Sequence, residues 1–110
     1  MLINKADKIF VAGSGGMVGS AIKRKLNWNR YKNLEYPSRN ELDLTNTESV
    51  NKWFEDKKPD IVILAAAKVG GIYANNKYPV DFLLENLKIQ NNVIEIAWKT
   101  GVKRLLFLGS

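Results

Sequence analysis

The sequence has no cysteine and no histidine. The first absence excludes a disulfide framework and thiolate metal sites, and the second removes the usual imidazole ligands of zinc, so no resident metal is expected. Proline is scarce, at 3 of 110 residues, and its positions 37, 59 and 79 fall between apolar segments, where it punctuates rather than interrupts them. No apolar run approaches the ~18 residues of a membrane span, and Met1 to Asp7 lacks the apolar core of a secretory signal. A cytoplasmic location with no membrane partner is therefore expected. Acidic residues are also in deficit, 11 against 17 Lys and Arg, for a formal charge of +6. Lys23-Arg24-Lys25 and Lys57-Lys58 fall in the last turns of expected helices, where cations favour the negative end of the dipole. These runs read as solvated faces, so no nucleic-acid partner is expected; a nucleic-acid binder would show salt-sensitive affinity for DNA or RNA. What remains is ordinary globular composition, 45% apolar and 25% charged, in a length that suits one small domain.

The chain's glycines cluster early. Gly13-Ser14-Gly15-Gly16-Met17-Val18-Gly19 follows the apolar run Lys8 to Ala12 and precedes a segment with helical spacing. Glycines so placed between a strand and a helix allow a tight turn, admit a pyrophosphate to the first helical N–H groups and let helix and strand pack closely. The spacing is G-x-x-G-x-x-G over Gly13, Gly16 and Gly19; Gly13, Gly15 and Gly19 match G-x-G-x-x-G only loosely, with one residue more before the last glycine. A bare structural turn is the plainer alternative, since glycine serves wherever φ is positive.

Beyond the turn, Val18, Ile22 and Leu26 mark the buried stripe of a first helix. Leu34-Glu35-Tyr36 reads as a second strand halted by Pro37. Thr45, three residues before Glu48, makes a capping box for a second helix with Val50, Trp53 and Phe54 on its apolar side. Ile61 to Ala67 is uninterruptedly apolar, the pattern of a strand covered on both faces. After a Gly- and Asn-rich connection, Pro79 opens a long helix carrying Leu83, Leu87, Ile94 and Trp98, its apolar face widened by Phe82, Ile89, Val93 and Ile96. Gly101 supplies its left-handed cap, and Leu105 to Leu108 is a fourth strand. Such alternation predicts an α/β fold, a Rossmann-type doubly wound parallel sheet. Right-handed crossovers are read as the strand order 3-2-1-4, with a crevice between strands 1 and 4.

The glycine turn resembles that of the extended short-chain dehydrogenase/reductases. More narrowly, Gly16-Met17-Val18-Gly19-Ser20-Ala21-Ile22, Arg39-Asn40-Glu41-Leu42-Asp43-Leu44, the stretch from Leu64 through Lys68 to Ile72, and Leu105-Leu106-Phe107-Leu108-Gly109-Ser110 resemble the GDP-L-fucose synthases, or GDP-4-keto-6-deoxymannose epimerase-reductases. The likeness runs from about Lys8 to Ser110 and matches the amino-terminal third of a typical member. It implies that 1–110 is the amino-terminal part of an NADP-binding domain, that a substrate domain lies outside it, and that this fragment is inactive alone. Members epimerise C3 and C5 of a GDP-linked 4-keto-6-deoxymannose and then reduce C4 with hydride from NADPH. The implied partner is thus a GDP-linked nucleotide sugar, with a homodimer for the full-length form. Another nucleotide-sugar epimerase or dehydratase, or a non-catalytic NAD(P)-sensing module, is the alternative.

By the same resemblance Ser110 matches the serine that hydrogen-bonds the substrate's C4 oxygen. The Tyr-x-x-x-Lys pair and the epimerising Cys and His have no counterpart here; Tyr73 and Lys77 share the spacing but precede the fourth strand, so the role is not theirs. The implied cofactor-binding set is Gly13, Ser14, Gly15, Gly16, Met17, Val18 and Gly19, then Arg39, then Asp43 and Leu44 beside the adenine, Ala65, Ala66 and Ala67 beneath the cofactor, Lys68, and Asn86 on the long helix. An acid ending the second strand selects NAD, whereas an Arg there accommodates the 2′-phosphate of NADP. Arg39 has that place and Glu35 falls too early, so NADP is expected, with Arg39 as an ordinary surface cation the alternative. Ser14-Gly15 stands where bacterial members commonly carry His-Arg, whose Arg also meets the 2′-phosphate. On the plainer readings Asp43 precedes a helix cap, the alanines only pack, Lys68 faces solvent and Asn86 ties down local backbone.

Overall fold

Strand β1, Ile9–Ala12, is fully buried and sits inside a sheet whose every pairing is parallel. The computed structural model describes residues 3–65 and 79–108, apart from the side chains of Pro79 and Phe82. After β1 come α1 (Met17–Trp28), β2 (Leu34–Glu35), α2 (Thr47–Lys57), β3 (Ile61–Leu64), α3 (Pro79–Lys99) and β4 (Arg104–Phe107). The sheet order is β2-β1-β3-β4, with Ile9 opposite both Leu34 and Ile61, and Ile61 opposite Arg104.

Alternation along the strands makes two cores. Ile9, Val11, Ile61 and Ile63 face Ile22 and Leu26 of α1, whereas Phe10, Ala12, Val62 and Leu64 face Val50 and Phe54 of α2 and Ile89, Val93, Ile96 and Ala97 of α3. That division explains the topology. A right-handed crossover moves the chain sideways in a direction set by the face its helix covers. With α1 on one face β1 leads to β2; with α2 on the other the chain returns past β1 to β3, and α3 carries it one place further to β4.

The doubly wound parallel class is the one expected. Counted by places in the six-stranded pattern, β3 fills the fourth place, on the far side of β1, and the observed order is the equivalent arrangement. Counted in this chain's own strands, the neighbours differ from 3-2-1-4: β3 lies on β1 instead of outside β2. That alternative needs α2 on the face of α1, but Trp53 and Phe54 pack on Phe10, tilted and edge-on, with ring centroids 4.3 and 5.6 Å away. The winding accordingly reverses between β1 and β3, and the crevice opens there rather than between strands 1 and 4.

Local details also depart from the sequence pattern. In α1 the first-turn position of the apolar stripe belongs to Gly19, which is buried, while Val18 is 54% exposed. Lys25, not Lys23, lies in the last turn. In α3 the sheet-facing stripe is Ile89, Val93, Ile96 and Ala97; Leu83, Leu87, Ile94 and Trp98 form a separate exposed face. Gly101 does take a left-handed φ of 79° after α3.

Helix α2 begins one residue later than the capping box predicts. The Thr45 hydroxyl donates to Asp43 Oδ1 at 2.6 Å, committing Thr45 to a turn, and Asn46 becomes the cap, its side chain accepting from Ser49 N at 3.0 Å. Asn46→Ala is expected to lower stability by about 1 kcal/mol in chemical denaturation. A neutral Asn46→Ala with a costly Thr45→Ala would restore the capping box.

Polar groups tie the amino ends of the strands together. Lys8 N donates to Asp60 Oδ2 at 2.8 Å, Lys103 N donates to the Asp60 carbonyl at 2.8 Å, and Lys103 Nζ meets Asp7 Oδ1 at 3.2 Å. The Asn4 N–H, 2.9 Å from Asp7 Oδ2, is the main reason the Asp7 carboxyl is held below its ordinary pKa, with Lys103 adding to the effect. The opposite end of the sheet carries the cavity described next.

Candidate functional site

The site begins with backbone geometry at the carboxyl end of β1. Gly13 takes a φ of 88°, which a side chain would resist, and its carbonyl accepts from Gly16 N at 3.1 Å to close the turn. Gly19 rests on that turn so closely that a Cβ there would lie 1.9 Å from the Gly13 carbonyl oxygen. A Cβ on Gly15 would meet nothing within 4 Å. Helix α1 thus starts pressed against β1, with Gly16 as its cap, no side chain bonded to its first amides and no acid in its first turn. A helix start of this kind presents unsatisfied N–H groups and the positive end of a dipole, which suits an anion.

A cavity of about 990 Å³ opens over this turn. Its walls are Gly13, Ser14, Gly15 and Gly16; Tyr36 to Arg39 at the exit of β2; Glu41 to Thr45; Ala65; Lys23 of α1; and Glu85 and Ile89 of α3, with Phe10 and Ala12 below. Ala65 N donates to the Ala12 carbonyl at 2.9 Å, so Ala65 extends the β1–β3 pairing to the cavity floor.

Of the residues proposed from the sequence, Gly13, Ser14, Gly15, Gly16, Arg39, Asp43, Leu44 and Ala65 are brought together here. Gly19 supports the turn from beneath, and Met17, 89% exposed, and Val18 lie outside the lining set. Asn86 is not among the lining residues, although its neighbour Glu85 is. Ala66, Ala67, Lys68 and Ser110 lie outside the described residues.

The walls are braced by bonds the sequence pattern does not reveal. Ser38 N donates to Glu41 Oε1 at 3.1 Å while Glu41 N donates to the Ser38 carbonyl at 3.0 Å, closing the loop that presents Arg39. Asn92 of α3 donates through Nδ2 to the Leu44 carbonyl at 2.9 Å and accepts from the Thr47 hydroxyl at 2.9 Å, holding the 43–46 turn against the long helix. Asp43 is held below its usual pKa first by the Thr45 hydroxyl, next by the Thr45 N–H, and least by the charge of Arg39. It is therefore an ionised part of a turn at neutral pH. Glu35 pairs with Phe10 inside the sheet and is not among the cavity-lining residues; the residue leaving β2 into the cavity is Tyr36.

Lys23, Tyr36 and Asn92 are site residues that pattern reading missed. Lys23 was masked by its basic neighbours, and its cue was position: it lies on α1 less than two turns from the glycines. Among the described residues no group of three or more His, Cys, Asp or Glu side chains could hold a metal ion, and no helix is long and apolar enough to cross a membrane.

With its winding reversing between β1 and β3 and its cavity at that point, the chain is a Rossmann-type α/β domain. It belongs to the NAD dependent epimerase/dehydratase family, whose model matches residues 9–110. GDP-L-fucose synthase 1 of Arabidopsis thaliana is 58% identical over 107 residues, covering 97% of this chain and 33% of that protein. GDP-L-fucose synthase of Escherichia coli K12 is 48% identical over 103 residues, covering 94% of this chain and 32% of that protein. Among solved structures, a GDP-mannoheptose C4 reductase from Campylobacter jejuni with NADP bound superimposes with a TM-score of 0.92 at 40% identity, over 97% of this chain and 34% of that one. The chain spans about a third of the length of the curated relatives it matches.

Proposed function

We propose that this chain is the amino-terminal, NADP-binding part of an enzyme that epimerises and reduces GDP-4-keto-6-deoxy-D-mannose to GDP-L-fucose. The observation that carries the reading is the cavity itself: a glycine turn whose helix start has no side-chain cap shares with Arg39 the walls of a space fit for a nucleotide. In this role the first amides of α1 hold the pyrophosphate. Arg39 holds the 2′-phosphate through a charge-assisted fork, and Asp43 and Leu44 border the adenine. The small side chain of Ala65 lets the cofactor pass close over the strand ends. Bound NADPH supplies the hydride for the reduction at C4. Met17, Val18 and Gly19 shape the turn, Ala66, Ala67 and Lys68 complete the cofactor-binding set, and Asn86 steadies α3 near it. Ser110 hydrogen-bonds the substrate's C4 oxygen. The reaction takes place in the cytoplasm, on a GDP-linked sugar, in a homodimer of the full-length protein.

The test is turnover. With GDP-4-keto-6-deoxy-D-mannose, the full-length protein is expected to consume NADPH and yield GDP-L-fucose, whereas the 110-residue chain forms no GDP-L-fucose. A full-length protein that leaves that sugar nucleotide unchanged contradicts the reading.

A further inference from the structure

The cavity's charges are unevenly placed. Among the described residues its lining contains two cations, Lys23 and Arg39, contributed by different elements, together with the carboxylates Glu41, Asp43 and Glu85. The glycine turn itself, with Ser14-Gly15 at its tip, adds no cation. Lys23 Nζ lies 3.9 Å from the ring centroid of Tyr36, the residue that carries β2 into the cavity. Lys23 is half-buried and Tyr36 is exposed.

This contact has a physical consequence. A lysine chain is flexible and loses rotamer entropy when it is fixed on a ligand. Resting the ammonium on an aromatic face meets part of that cost beforehand. An ammonium has three N–H donors and the ring face engages one side of it, which leaves donors for an anion. The place is chemically specific as well, because the exit of the second strand is where a dinucleotide-binding fold meets the adenosine ribose at its 2′ position. A phosphate monoester there carries about −1.5 to −2 charges near neutral pH, more than one guanidinium balances.

We propose that Lys23, held on the face of Tyr36, is the second cation of a two-cation site that with Arg39 selects a 2′-phosphorylated adenosine. This rests on the reading of the cavity as an NADP site and deepens it. Lys23 provides a point charge and Arg39 a planar fork, so the phosphate is gripped from α1 and from the loop after β2. Tyr36 is a positioning residue: it restrains Lys23 without touching the phosphate.

The test is titration of the full chain with NADPH and with NADH, for the unaltered protein and for Lys23→Gln, Lys23→Arg and Tyr36→Leu, each checked by thermal melting. Lys23→Gln is expected to weaken NADPH by about tenfold and to leave NADH within about twofold. Lys23→Arg should retain most of the preference, and Tyr36→Leu should lose about threefold for NADPH alone. If Lys23→Gln binds NADPH as tightly as the unaltered chain while Arg39→Ala does not, the second cation is refuted and the NADP reading stands. Equal affinity of the unaltered chain for NADPH and NADH overturns both. Equal weakening of both cofactors by Lys23→Gln makes Lys23 a structural residue and also overturns the proposal.

Discussion

Gly19→Ala is expected to cost about 3 kcal/mol of stability, an overpacking penalty at the upper end of the usual range, and to abolish measurable nucleotide binding. The added methyl meets backbone, not a side chain that can swing away: the Gly13 carbonyl oxygen at 1.9 Å, its carbon at 2.6 Å and Ser14 Cα at 3.0 Å. Relief requires α1 to lift away from the turn. That movement draws Ile22 and Leu26 from the core they share with Ile9 and Val11, and displaces the first-turn amides that face the cavity. Gly15→Ala is the matched control, since its methyl meets nothing within 4 Å. It should stay within about 0.5 kcal/mol of the unaltered chain, yet lose affinity if a pyrophosphate lies against that open backbone. Denaturant melts and NADPH titrations of the two variants check this. A Gly19→Ala protein that melts and binds like the unaltered chain would show that the close approach is not structural.

The second large effect is at Arg39. Replacement by alanine is expected to weaken NADPH by ~30-fold, the equivalent of about 2 kcal/mol for a lost charge-assisted bond, and to leave NADH within about twofold. The selectivity follows from where the change acts. Arg39 is exposed and is the smallest contributor to the ionisation of Asp43, which Thr45 maintains through its hydroxyl and N–H. The 41–45 wall and its carboxylate therefore persist without the guanidinium. Equal losses for both cofactors would assign Arg39 to the scaffold instead of the 2′-phosphate.

Much of this fold is written in local signals. The burial of Ile9 to Ala12 and of Ile61 to Leu64, the glycine turn, the Arg39 loop and the glycine after α3 all follow from short-range chemistry: β-branched runs, backbone freedom and helix stops. Long-range choices were less legible. Helix α3 carries two apolar stripes, and nothing in their spacing says whether Leu87 and Trp98 or Ile89 and Val93 meet the sheet. The place of β3 depended on which face α2 covers, a matter decided by Trp53 and Phe54 packing on Phe10 from 43 and 44 positions away. The cap of α2 turned on Thr45 bonding backwards to Asp43, one of two short-range options that the residue types alone do not separate. Within the site, Lys23 resembled any solvated helix lysine until the fold set it over Tyr36, and Asn92 had no motif at all because its partners lie 45 and 48 residues earlier.

Whether the cavity accepts NADP is read from the ratio of the NADH and NADPH dissociation constants for the unaltered chain. Trp53 packs against Phe10, which lines the cavity, so quenching of tryptophan fluorescence offers a readout close to the site. The expected result is saturable NADPH binding at least about tenfold tighter than NADH. Equal affinities, or no saturable binding of either, would contradict the account.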